Sequence, residues 1–160
     1  MPIFMEFEGI EGNVTMAGYE KQIEIGSMQW GVGRGISMIT GRTANREVSS
    51  PSISEVTVTK VLDKASALLV QEATIGNKGK KIILHLVRTG PDANEEYLTY
   101  TLTDTLISGY SFSSGGNGEA SESLSLSFTS VEMAYNESGK DNVKGGAGRF
   151  GYSIEQGKKL

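Results

Sequence analysis

His85 is the only histidine in the chain and there is no cysteine, so few kinds of active-site chemistry are open to this sequence. A nucleophilic triad would have His85 as its sole available base, and neither a multi-histidine nor a thiolate metal site can be built within one copy. His85 alternates with Ile83 and Val87 along an apolar strand pattern, whereas a general base must sit exposed beside its nucleophile. It reads as a packed, hydrogen-bonded histidine. The carboxylate pairs Glu95–Glu96 and Asp104–Glu122 could supply an acid and a base for glycoside hydrolysis, but such pairs are ordinary on an acidic surface. The expectation is a protein that is not an enzyme and that uses no cofactor and no metal.

Glycine-rich turns are the next candidates. Gly31-Val32-Gly33-Arg34-Gly35 follows a strand pattern, but its spacing is G-x-G-x-G rather than G-x-G-x-x-G, and no capped helix follows to offer its N-terminus to a phosphate. It reads as a flexible loop. Gly76-Asn77-Lys78-Gly79-Lys80-Lys81 lacks the Ser/Thr of a P-loop and follows a helical pattern instead of preceding one, so it reads as a C-cap and turn. Asn13-Val14-Thr15 and Asn136-Glu137-Ser138 match the glycosylation sequon, which matters only in a eukaryotic secretory route. Trp30 could stack on a glycan, although its phase with Met28 places it in a core. Thr99, Thr101, Thr103 and Thr105 give one long strand a polar face without charge: a solvent face, or a wall lining a wet channel or meeting a neighbouring subunit.

The elements that must position these residues are mostly strands. In 160 residues, about one domain's worth, 38% hydrophobic and 21% charged side chains suffice for a core and exclude a disordered chain. The reading is a single domain over residues 1–160. A net charge of −4 provides no positive field for nucleic acid or anionic lipid. No apolar run approaches a membrane span, and Met1 to Gly12 lacks the pattern of a signal peptide, so synthesis in the cytoplasm and export without a cleaved signal are expected.

Apolar residues recur at every second position in several segments, the period of a half-buried strand. Ile3, Met5 and Phe7 share one face, and Ile23 and Ile25 open a second strand whose phase shifts at Gly26-Ser27 to Met28 and Trp30, as at a β-bulge. Val56 and Val58 lead into a short helix over residues 64–75, with Asp63 and Ser66 as candidate N-caps, Gly76 as a left-handed C-cap, and an apolar stripe of Ala65, Leu68, Leu69 and Ala73. Lys80 to Arg88 is apolar on both faces. Leu98, Tyr100, Leu102, Leu106, Tyr110 and Phe112 hold one even-numbered face over a long strand. Leu124, Leu126 and Phe128 change phase at Thr129-Ser130 to Val131, Met133 and Tyr135, and Phe150, Tyr152 and Ile154 close the chain. Such strands and bulges with one helix predict a mainly β fold, a small antiparallel β-barrel or sandwich of two packed sheets with one flanking helix.

The order of these segments resembles the haemolysin-coregulated protein (Hcp) family, the tube subunit of the type VI secretion system. The resemblance is carried by Ile23-Glu24-Ile25 followed by Trp30-Gly31, by Val58 to Ser66 leading into the helix, and by Glu96-Tyr97-Leu98 opening the long strand. Its most specific parts are Leu106-Ile107-Ser108-Gly109-Tyr110 running to Gly115-Gly116, then Glu122, Leu124, Leu126, Phe128, Val131 and Tyr135, with Tyr152-Ser153-Ile154 as the closing segment. The chain departs from the family pattern at Met28-Gln29-Trp30, where an aromatic and a small residue are common, and at Ala67, where proline is common.

The resemblance implies a hexameric ring, stacked into a hollow tube with a spike protein at its tip, a baseplate and contractile sheath around its assembly, and small effector proteins in its lumen. It implies a lumen-facing cargo contact at Gln29, and an inter-subunit or ring-stacking loop containing Gly31, Gly33, Arg34, Gly35, Gly41 and Arg42, mobile in a free ring and ordered between rings. Two other readings stay open: a monomeric β-sandwich glycan-binding module, which would expose Trp30 and Tyr97 on a concave surface, and a phage-type tail-tube protein.

Overall fold

The structure is a computed structural model describing residues 1–37, 40–41, 47–91, 94–138 and 144–160. Among the described residues fourteen strands and one helix follow in the order β1 (Ile3–Phe7), β2 (Ile23–Ile25), β3 (Ser27–Gln29), β4 (Val32–Gly33), β5 (Ile36–Ser37), β6 (Glu47–Val48), β7 (Ser52–Ile53), β8 (Val56–Val61), α1 (Ser66–Ile75), β9 (Lys80–Thr89), β10 (Asn94–Ser113), β11 (Ser121–Ser127), β12 (Ser130–Ser138), β13 (Lys144–Ser153) and β14 (Lys158–Lys159).

All pairings are antiparallel. One sheet carries β2–β1–β9 and the first half of β10, then β12, β13 and β14; the other carries the second half of β10 with β11, β8 and β3. β10 belongs to both, as a long strand can where bulges bend it around a corner. The ladder is barrel-like without being closed by hydrogen bonds all round. β2 pairs with β1 and β3 with β8, and the path returns through the chain at Gly26, whose N–H donates to the Thr59 carbonyl at 2.7 Å. The phase shift read at Gly26-Ser27 is thus the point where one strand changes sheets. The shift at Thr129-Ser130 does the same between β11 and β12.

Met5, Ile23, Val56, Val58, Leu69, Ile82, Leu84, Leu102, Leu124, Leu126 and Val131 are fully buried in one core cluster between the sheets. The opposite face of β1 is covered as well: Phe4 packs under the Tyr19 ring, 5.0 Å between centroids, where the 8–22 connection folds back over the sheet.

β10 departs from the expected single phase. Its pairing with β9 shifts between Leu102 and Thr105, where Asp104 adopts a left-handed φ of 54°, and its pairing with β11 shifts between Ile107 and Gly109. Each extra residue turns the following side chains to the other face. Thr105 (1% exposed) and Ile107 (7%) therefore point inward and Leu106 (40%) outward, and Tyr110 resumes the even phase. The threonine row is broken accordingly, with Thr99 and Thr101 on the outer side and Thr105 in the core.

α1 starts at Ser66, two residues later than expected. The Asp63 carboxylate accepts from the Ala65 N–H (2.9 Å) and the Ser66 hydroxyl from the Asp63 N–H (3.0 Å), so both expected caps act on the turn preceding the helix. Gly76 is extended (φ −65°, ψ 123°) instead of left-handed. Leu68 points to solvent; Ala65 and Leu69 make the buried contact.

Candidate functional site

Four strands present one continuous outer face, built from the alternation that buries Val56, Val58, Leu124 and Leu126. Their neighbours along the chain must point away from the core. Registered across β3, β8, β11 and β10, these outward residues form rungs: Ser27, Thr59, Ser123 and Ser111; then Gln29, Thr57, Ser125 and Gly109. Ser121 and Ser113 continue the pattern beside Val61. The Ser27 and Thr59 hydroxyls are hydrogen-bonded to each other. Among the described residues the face carries one charged side chain, Glu55 at the entrance to β8, whose Oε2 accepts from the Ser108 hydroxyl at 2.6 Å.

The charges on β8 and β11 are turned inward instead. Lys60 and Glu122 are buried, with Lys60 Nζ 2.7 Å from Glu122 Oε1 and 3.0 Å from Asp63 Oδ1. The Ser66 hydroxyl donates to Glu122 at 2.6 Å, and the Tyr110 hydroxyl donates to the other carboxylate oxygen. Burial pushes the Glu122 carboxyl up, but hydrogen bonds from Lys60, Ser66 and Tyr110 together with the Lys60 charge outweigh it and hold the group below its ordinary value. Burial and the hydrogen bond to this carboxylate push Tyr110 up to about 12. This network ties α1 to the sheet that bears the hydroxyl face. Loss of Lys60 would strip the buried Glu122 carboxylate of its cation, and loss of Glu122 would leave Lys60 with Asp63 alone.

A second polar cluster lies on the other sheet. His85 sits with Nδ1 2.9 Å from Glu96 Oε2 and Nε2 3.5 Å from Glu6 Oε2, under the edge of Tyr19. Glu96 also accepts from the Tyr19 and Thr99 hydroxyls. Burial raises the Glu96 carboxyl, but the hydrogen bond from Thr99, the His85 charge, and the hydrogen bonds from His85 and Tyr19 bring it below its ordinary value. Tyr19 is pushed up to about 12 by burial and by the Glu96 charge. His85 is hydrogen-bonded as expected, although its neighbours are carboxylates and aromatics and the cluster pins the 8–22 connection to the sheet.

Gln29 stands exposed on the hydroxyl face. Gly31, Gly33, Arg34 and Gly35 lie in an antiparallel ribbon, β4 with β7 and β5 with β6, stitched by Ser54 and Ser49 hydroxyls that accept from the Gly31 and Gly35 N–H groups at 2.7 and 2.9 Å. Gly41 is left-handed (φ 86°) and exposed; Arg42 lies outside the described residues. Asp104 is exposed at its bulge while Glu122 is buried with Lys60, so they do not form an acid–base pair. Trp30 packs edge-on against Tyr100 at 5.6 Å, and Tyr97 lies under the Arg88 guanidinium. Of the β10 threonines, Thr99, Thr101 and Thr103 face outward and Thr105 is buried, while a second and broader hydroxyl face is formed by β3, β8, β11 and the later part of β10. The serines at 121, 123 and 125, alternating with Leu124 and Leu126, were the overlooked signal.

Among the described residues no group of three or more His, Asp or Glu is placed to hold a metal, and no helix is long and apolar enough to cross a membrane. A family model described as "Type VI secretion system effector, Hcp" matches residues 4–135. Protein hcp1 of Pseudomonas aeruginosa is 29% identical over 107 residues, a match spanning 66% of this chain and 66% of that relative's length. A solved "type six secretion system protein" superposes with a TM-score of 0.90 at 25% identity, covering 99% of both chains. Hcp1 from Salmonella typhimurium superposes with a TM-score of 0.81 at 25% identity, covering 99% of this chain and 98% of that one. Together with the corner at Gly26 and the repeatedly bulged β10 with α1 packed on it, these matches establish that the chain belongs to the Hcp family of type VI secretion proteins.

Proposed function

We propose that this chain is a tube subunit. Six copies close head-to-tail into a ring, rings stack into a hollow tube, and the β3–β8–β11–β10 face lines its lumen. The observation that carries this reading is the hydroxyl face, which holds no charged side chain but Glu55 among the described residues. On an acidic protein, four strands present serine, threonine and glutamine outward while Lys60 and Glu122 are paired beneath them. Such a wall is wetted without holding charged material fast, which suits passage of protein cargo.

Gln29 lies on this wall as a cargo contact. The ribbon carrying Gly31, Gly33, Arg34 and Gly35, with Gly41 and Arg42 beyond, is the ring-stacking segment. Its Val32, Ile36 and Val48 side chains are half exposed, an apolar surface that a neighbouring ring would cover. A head-to-tail interface that closes by rotation gives a ring and leaves two faces for stacking. The partners are then further copies of the chain, small effector proteins in the lumen, a spike at the tube tip, and a baseplate and contractile sheath.

Electron microscopy of the purified protein tests the ring: annular particles with six-fold symmetry and a central hole are expected, and compact particles without a hole would overturn it.

A further inference from the structure

At one end of the hydroxyl face, Gln29, Trp30, Ser54, Glu55 and Thr57 line an open recess. Ser54 is already satisfied: its hydroxyl accepts from the Gly31 N–H and donates to the Glu55 carbonyl. Three polar groups are not. The Gln29 amide, the Thr57 hydroxyl and Glu55 Oε1 have no hydrogen-bond partner among the described residues, and Glu55 makes no ion pair there although Ser108 holds its other oxygen. A carboxylate fixed by one hydrogen bond, an amide oxygen and a hydroxyl together match a planar cation with several N–H donors, and Trp30, whose ring is turned toward the core and packed on Tyr100, borders the recess. Guanidinium pairs with carboxylate and can donate to the neutral oxygens beside it. The remainder of the face offers no competing charge.

We propose that this recess takes an arginine side chain of the cargo protein, with Glu55 as the charge partner and Gln29 and Thr57 as neutral acceptors. The proposal rests on the lumen reading above and adds the cargo's chemistry to it. Gln29 then acts as part of an arginine pocket, and retention of cargo depends on ionic strength at this one position of an otherwise neutral wall.

Trp30 is the only tryptophan in the chain, so its fluorescence reports on the recess directly. The experiment titrates the assembled protein with N-acetyl-arginine amide and with its uncharged citrulline counterpart. A saturable change in Trp30 emission is expected with arginine, and about fivefold weaker binding with citrulline, the effect of one partly exposed charge-assisted pair. Glu55→Gln brings arginine down to the citrulline level while the particle mass stays that of wild type. Equal responses to the two probes in the wild type, or a Glu55→Gln protein that binds arginine undiminished, would overturn the proposal. So would dissociation of the ring by Glu55→Gln, which would assign Glu55 to a second copy of the chain. A protein that stays monomeric would refute the tube, yet the titration would still read the recess, so the two failures are separable.

Discussion

Glu122 is the residue on which the geometry of the hydroxyl face depends most. Its carboxylate accepts from Lys60, Ser66 and Tyr110 in the interior, so Glu122→Gln leaves the Lys60 charge without its nearest partner. A loss of roughly 3–5 kcal/mol in denaturant unfolding is expected, and replacing Lys60 and Glu122 together by apolar residues of similar volume should cost far less. The pH dependence follows from the same contacts. Glu122 and Glu96 titrate below their ordinary value in the folded protein, so their stabilisation is fully present above the unfolded-state value of about 4.3 and is lost as pH falls through the folded-state values. Tyr110 and Tyr19 are raised to about 12, so their contribution is full below the unfolded-state value of about 10 and disappears as pH rises toward 12. Melting temperature against pH should therefore fall on both flanks, and Tyr110→Phe should flatten the alkaline one. Gly79 offers a steric test: a Cβ there would lie 1.7 Å from Asp104 Oδ1 and 2.7 Å from Asp104 Cα. Gly79→Ala should lower the melting temperature markedly, by more than the same change at Gly118, where a Cβ meets nothing within 4 Å.

The strands themselves were legible because half-buried β-structure writes its period into the chain, and the two changes of sheet at Gly26 and Thr129-Ser130 appeared as changes of phase. β10 differs from its expected single phase because, beyond a first irregularity at Glu96–Leu98, the two bulges in its middle cancel. One extra residue near Asp104 and another near Ser108 restore the even phase at Tyr110, so the ends of the strand agree and only the middle is reversed. Composition reinforced the error, since Leu106 is apolar and outside while Thr105 is polar and inside, its hydroxyl without a partner among the described residues. The reversal predicts that Ile107→Ala costs about 2–4 kcal/mol and Leu106→Ala less than about 1, measured by denaturant unfolding; equal costs would contradict it. Within α1 a ten-residue helix gives a short pattern to phase, so the sequence puts Leu68 on the buried stripe, whereas Leu69 and Ala65 are the buried positions and Leu68 is exposed. The hydroxyl face was hidden for a different reason. Alternating serines announce only that one side of a strand is polar. It takes the register of β3, β8, β11 and β10 to turn four such sides into one wall.

On the scale of the whole molecule, the charges that could have marked this wall are paired inside, and one ribbon extends from it with apolar side chains uncovered. Among the described residues Val32, Ile36 and Val48 stay half exposed in a single copy, and on the proposed tube reading the wall encloses a channel only when copies stand side by side. Gln29→Arg would place a cation in each copy's wall and should reduce retention of cargo with ring mass unchanged; unchanged retention would remove Gln29 from the contact. Because interface area does not convert directly into affinity, assembly must be followed over concentration. The most direct measurement is the solution mass by light scattering after size exclusion, across a wide dilution range. A tube subunit predicts a species of six 17.1 kDa chains, about 103 kDa, with higher multiples as rings stack. A mass of 17.1 kDa at every concentration would contradict the account.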